Sequence, residues 1–100
     1  MNEFLIKLEP EVTNDIQEGI NWYNKQQQGL GPLFYVEVRT AFNSLKINPY
    51  YQIRYDKVRC LPIKKFPYMI HFTISEKENL IIIRGVFNTS DSPEKWKRNK

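Results

Sequence analysis

Apolar residues fall at two different periods along this chain, and the change of period divides it in half. FLIKL (4–8) is a short strand candidate closed by Pro10. From Pro10 to Gly29, Val12, Ile16, Ile20 and Tyr23 recur at helical spacing, with Glu11 and Asp15 near the end where the helix dipole favours negative charge. Gly29 is placed to cap this helix, and Gly31-Pro32 forces a break before the next. Pro32 suits the first turn of a second helix, whose stripe is Phe34, Val38, Ala41, Phe42 and Leu45 and whose stop is Asn48-Pro49. A link as short as GLG predicts an antiparallel helix hairpin.

After Tyr50 the pattern alternates. YQIRYD, VRCLPIK, FPYMIHFTIS and NLIIIRGVFN are rich in β-branched and aromatic residues, as strands require. Phe66, Tyr68, Ile70, Phe72 and Ile74 share one face, with Met69, His71 and Thr73 on the other. SEKEN (75–79) predicts a polar hairpin turn. In the last strand Ile81, Ile83, Gly85 and Phe87 alternate with Leu80, Ile82, Arg84 and Val86, so both faces are apolar and the strand is expected to be central. The predicted order is β-α-α-β-β-β with a short tail. This is an α+β fold with the helix hairpin packed on one face of a small, mainly antiparallel sheet. The other face is expected to stay partly open and to carry Met69, His71, Thr73 and Arg84, with Lys64 near the hairpin.

One hundred residues make a single domain, 1–100, with 41% apolar and 26% charged residues. No apolar run approaches the roughly 20 residues of a membrane span, and MNEFLIKLEPE lacks the plan of a signal peptide. With Cys60 alone, no internal disulfide is expected and a reducing cytoplasm is the natural home. One cysteine and one histidine make no zinc-ligand cluster, so neither metal nor cofactor is expected. Charge is divided unevenly. Residues 1–50 hold four Lys/Arg against six Asp/Glu, and residues 51–100 hold eleven against five. A basic second half points to an anionic partner, nucleic acid or an acidic protein segment.

The candidate chemistry is sparse. His71 is the only histidine, in the residue class that titrates near neutrality. Arg59 has the parity of Leu61 and Ile63, which suits anchoring the sheet as well as binding. Lys64 and Lys65 stand at a strand end, where charge also protects edges. Arg84 in an apolar strand needs a partner or marks an anion site. Cys60 reads as a small buried residue. Trp96, after the turn of Pro93-Glu94 and among Lys95, Lys97 and Arg98, is expected to pin the tail to the core while the cations around it help bind a partner.

"DIQEGINWYNKQQQGLGPLF", "VRCLPIKKFPYMIHFTI" and "VFNTSDSPEKW" together resemble the RelE/ParE superfamily of type II toxin–antitoxin toxins, over nearly the whole chain and in the right order. The resemblance implies a growth-inhibiting toxin, of the plasmid-stabilisation kind, neutralised by a cognate antitoxin. It offers two modes. RelE-like members cleave mRNA at the ribosome with Lys, Arg and Tyr side chains on the open sheet face; ParE-like members poison DNA gyrase. Here the RelE-like basic positions fall on Cys60, Pro62 and Met69, and Asn88 and Asp91 stand where relatives carry His and Arg. That favours the gyrase-directed mode. The alternatives are an mRNA endoribonuclease using Arg59, Lys64, His71 and Arg84, or a non-toxic nucleic-acid-binding relative. Lys65, Lys95, Trp96, Lys97 and Arg98 are then the expected contacts to target or antitoxin.

Overall fold

The structure is a computed structural model and describes residues 3–96. Five strands and three helices follow in the order β1 (Leu5–Leu8), α1 (Pro10–Gln26), α2 (Leu30–Ile47), β2 (Ile53–Tyr55), β3 (Val58–Pro62), β4 (Tyr68–Ser75), β5 (Leu80–Asn88) and α3 (Pro93–Trp96). One sheet runs β1-β5-β4-β3-β2, with β1 parallel to β5 and the other pairs antiparallel. The expected α+β class and helix hairpin are both present. The sheet has five strands rather than four because YQIRYD contributes a short edge strand of its own, and the tail ends in a helical turn.

Pro10 opens α1, where its missing N–H costs nothing, and Glu11 lies in the first turn. Gly29 does not cap α1, which ends at Gln26; with φ of 96° it is the residue that turns the chain into α2. The α2 N-terminus has no cap from its own N-cap residue. Asn24 of α1 supplies one, its Oδ1 accepting the Gly31 N–H at 2.9 Å and so fixing the hairpin.

The helices cover one sheet face. Val12, Phe34, Val38, Leu45, Ile70, Phe72, Ile81 and Ile83 are fully buried there. An aromatic cluster closes one end, with Tyr23 edge-on to Phe66 at 4.7 Å and Phe34 edge-on to Tyr68 at 4.9 Å.

One irregularity redirects the last strand. His71 pairs with Gly85 and the next residue, Phe72, pairs with Ile83, so Arg84 is an extra residue in β5. Beyond it the faces exchange. Val86, expected beside Arg84 and away from the helices, enters the helix-side core, and Phe87 turns to the other face. A bulge also takes a backbone donor out of the ladder. The Val86 N–H donates instead to Oδ2 of Asp15, a buried α1 side chain, at 3.1 Å.

Removing that carboxylate leaves a buried N–H without its acceptor. Asp15→Ala is expected to cost about 1–3 kcal/mol, read as a fall in the urea midpoint, and Asp15→Asn, which keeps an acceptor oxygen, substantially less.

Candidate functional site

The sheet face turned away from the helices is the place where an open basic surface was expected. Its centre is instead covered. His71, from the middle of β4, is fully buried, with Cys60 opposite it on β3 and Gly85 opposite it on β5. Gly85 is required here: a Cβ would stand 2.3 Å from the Phe87 ring, which lies over it and edge-on to His71 at 4.9 Å. From the far edge, Tyr55 brings its hydroxyl to 2.9 Å from His71 Nδ1. Trp96 closes the box, stacked on Tyr55 at 5.4 Å and tilted against His71 at 4.9 Å.

The turn that returns Trp96 uses Asn88 and Asp91, two of the five positions singled out in the sequence as departures from the RelE-like pattern. Asn88 Oδ1 accepts both the Ser90 N–H (2.9 Å) and the Ser90 hydroxyl (2.7 Å), an Asx turn. Thr89 N–H donates to Pro67 carbonyl, tying the turn to the start of β4, and Asp91 pairs with Lys95 one helical turn on. Asn88 and Asp91 therefore build the segment that covers His71.

Burial decides the chemistry of the box. It drives the His71 pKa down to about 4, and the nearby Arg54 cation pushes the same way. The imidazole is neutral at pH 7. Burial likewise raises the Cys60 thiol, whose Sγ is 3.7 Å from His71 Nδ1, so the pair does not form a thiolate–imidazolium nucleophile. Tyr55 is pushed up to about 12, chiefly by burial, and keeps its proton. A Tyr55 hydroxyl donating to Nδ1 leaves the ring hydrogen on Nε2. Nε2 and Trp96 Nε1 are both buried without a hydrogen-bond partner among the described residues. The result is a neutral, desolvated aromatic box.

The other predicted site residues are dispersed. Arg84, the bulge residue, is tied to Glu9 Oε1 at 3.1 Å and to Thr73 Oγ1 at 3.3 Å. Arg59 donates to the Tyr51 carbonyl at 2.7 Å and lies over the Tyr50 ring at the β3–β2 edge. Lys64 lines a hollow against α2, on the helix side, and Lys65 reaches Glu37 at 3.6 Å. Trp22 and Lys95 line a hollow of about 340 Å³ beside α1 and the end of β5. Lys97 and Arg98 lie outside the described residues. Of the candidate set, Arg84 stands close enough to act electrostatically on Tyr55, the hydrogen-bond partner of His71, whereas Arg59 and Lys64 are held elsewhere. Among the described residues no group of three or more His, Cys, Asp or Glu could hold a metal ion, and no helix is long and apolar enough to cross a membrane.

Sequence reasoning missed Tyr55 and Phe87 as partners of His71. Phe87 has no sequence signal, because a regular strand puts it on the helix side. Tyr55 was legible only as one aromatic in an alternating run.

The arrangement of two helices on this mixed sheet recurs in solved toxin–antitoxin systems. A chain of the chromosomal ParDE TA system from P. aeruginosa matches with a TM-score of 0.73 at 14% identity, over 86% of this chain and 96% of that one. A chain of the toxin–antitoxin complex RelBE2 from Mycobacterium tuberculosis matches with a TM-score of 0.63, also at 14% identity, over 91% of this chain and 97% of that one. The chain shares the fold of both of these chains. No protein-family model and no curated protein matches the sequence. In this chain the sheet centre is filled by the His71 box.

The depressed His71 pKa has a consequence for stability. Between pH 6.5 and about 4 the unfolded chain takes up a proton on His71 that the folded chain refuses, so stability falls as pH drops through that window. The urea midpoint of the wild type is expected to fall more steeply from pH 6.5 to 4.5 than that of His71→Gln. In Trp96→Ala, NMR titration is expected to move the His71 pKa back toward 6.5.

Proposed function

We propose that this chain is the toxin of a type II toxin–antitoxin pair and that it arrests growth by binding a protein target, DNA gyrase in the ParE-like manner, rather than by cutting RNA. The observation that carries the reading is the covered His71 box. Transesterification of RNA at neutral pH asks for cations around the scissile phosphate and a group that moves the 2′-OH proton. The only histidine is held neutral and buried beneath Trp96, Arg84 is engaged by Glu9 and Thr73, Arg59 by the Tyr51 carbonyl, and Lys64 lies on the helix side. The toxin role itself is supported by the fold, which recurs in two solved toxin–antitoxin systems.

An antitoxin has a fitting surface. A groove of about 360 Å³ runs between the helices and the β1 edge, with Leu8, Ile16, Ile20 and Phe42 in its wall and Arg39 and Lys46 at its rim. Arg39 is steadied by Tyr35, whose hydroxyl accepts from Nη1 at 2.9 Å. Apolar walls with a basic rim suit an amphipathic, acidic helix.

Induction of the chain alone in bacteria, with mRNA integrity sampled from the same cultures, tests the reading. Arrest with intact mRNA is expected, and His71→Gln, if folded, is expected to arrest growth as the wild type does. Rapid mRNA loss, abolished by His71→Gln or Arg84→Ala, would overturn the protein-target mode in favour of a nuclease. Absence of arrest would overturn the toxin reading.

A further inference from the structure

A second surface stands out once the sheet centre is recognised as closed. Ten large hydrophobic side chains are exposed among the described residues, and four of them, Ile47, Tyr50, Tyr51 and Ile53, fall between positions 47 and 53. This stretch leaves α2, crosses the end of the sheet and enters the edge strand β2. Exposed apolar groups so concentrated mark contact surfaces.

The strip is held in shape. Pro49 is fully buried and anchors its start, and its carbonyl accepts the Tyr51 N–H at 2.8 Å. Tyr50 packs edge-on against Phe4 at 6.1 Å and its hydroxyl donates to Glu76 at 3.3 Å. Arg59 clamps the other side, with its guanidinium 5.6 Å from the Tyr50 ring centre and Nη1 on the Tyr51 carbonyl. In the β2–β3 register Ile53 lies opposite Arg59, so the two side chains share a face. A surface fixed before binding loses little freedom when a partner arrives.

Its chemistry narrows the partner. Arg59 has no carboxylate partner among the described residues, and a guanidinium has five N–H donors, most of them unused here. Exposed Lys57, in the turn between β2 and β3, adds positive charge nearby in sequence, while Arg54 lies near His71. The strip thus offers one cation, Arg59, among apolar side chains. Ile47 and Ile53 cannot stack on bases, and the Tyr50 ring already carries the Arg59 guanidinium, so a single-stranded nucleic acid fits poorly. Tyr, Arg and aliphatic residues around a rigid centre are the composition of a protein hot spot.

We propose that Ile47, Tyr50, Tyr51, Ile53 and Arg59 form the face by which this chain grips its protein target, whose own face presents a carboxylate set among apolar side chains. The proposal rests on the toxin reading above and adds where the target is held.

Ile53→Glu and Arg59→Glu test it, because both put a negative charge where the partner's carboxylate would lie. Far-UV circular dichroism and thermal melting establish folding; Ile53→Glu, at an exposed site, keeps the readout valid if Arg59→Glu disturbs the loop. Purified DNA gyrase is the binding probe and growth arrest the cellular one. Folded Ile53→Glu is expected to lose at least tenfold in affinity for gyrase and to lose the arrest. Arrest by Ile53→Glu equal to wild type would overturn the proposal and leave the toxin reading standing, even if the variant changed a dimer into a monomer. Wild-type arrest without gyrase binding, abolished by Ile53→Glu, would support the surface and reject gyrase as the target. No arrest by the wild type would overturn both.

Discussion

A single carboxylate-to-amide hydrogen bond, from Val86 N–H to Asp15, stands where the rest of this structure is decided. The extra residue Arg84 takes β5 out of strict alternation, and a bulge can persist in a buried sheet only if its freed backbone groups are satisfied. Asp15 does this from the helix layer, so the same contact joins α1 to the sheet. Because the bulge is tolerated, Val86 completes the core under the helices and Phe87 turns outward. Arg84, displaced from the ladder, ties Glu9 before α1 to Thr73 on β4.

The outward turn of Phe87 supplies one wall of the His71 box. Gly85 leaves room for that ring, Tyr55 approaches from β2, and the Asx turn at Asn88 sends Trp96 back over the top. Tyr55, Trp96, Cys60 and His71 are apolar over most of their surface, and Phe87 entirely so. Packed together they exclude water, and exclusion of water neutralises the histidine and keeps the thiol and phenol protonated. A sheet face of this kind is a second small core. The ring packing inside it sets the position of Trp96 more than it prepares a reaction.

With the sheet centre closed, the surfaces left for recognition lie at its margins. The groove beside β1 and the strip that crosses from the end of α2 to β2 adjoin at Lys46 and Ile47 and differ in character, one concave and lined by two helices, the other a braced loop with aromatic and aliphatic groups held out to solvent.

The sequence by itself determined the helix hairpin, the strand-rich second half and most of the helix-side core, because periodicity, Gly29, Pro32 and Asn48-Pro49 are local signals whose physics acts within a few residues. It carried the RelE/ParE resemblance for the same reason, in the spacing of those elements. Tertiary structure decided the rest. Alternation predicts faces only while the register is unbroken, and the bulge at Arg84 depends on an acceptor 71 residues away, so Val86 and Phe87 could not be placed from the strand alone. Nor could the state of His71 be read from its being a histidine. Its pKa belongs to Tyr55, Cys60, Phe87 and Trp96 around it, residues from four other elements that meet only when the chain is folded.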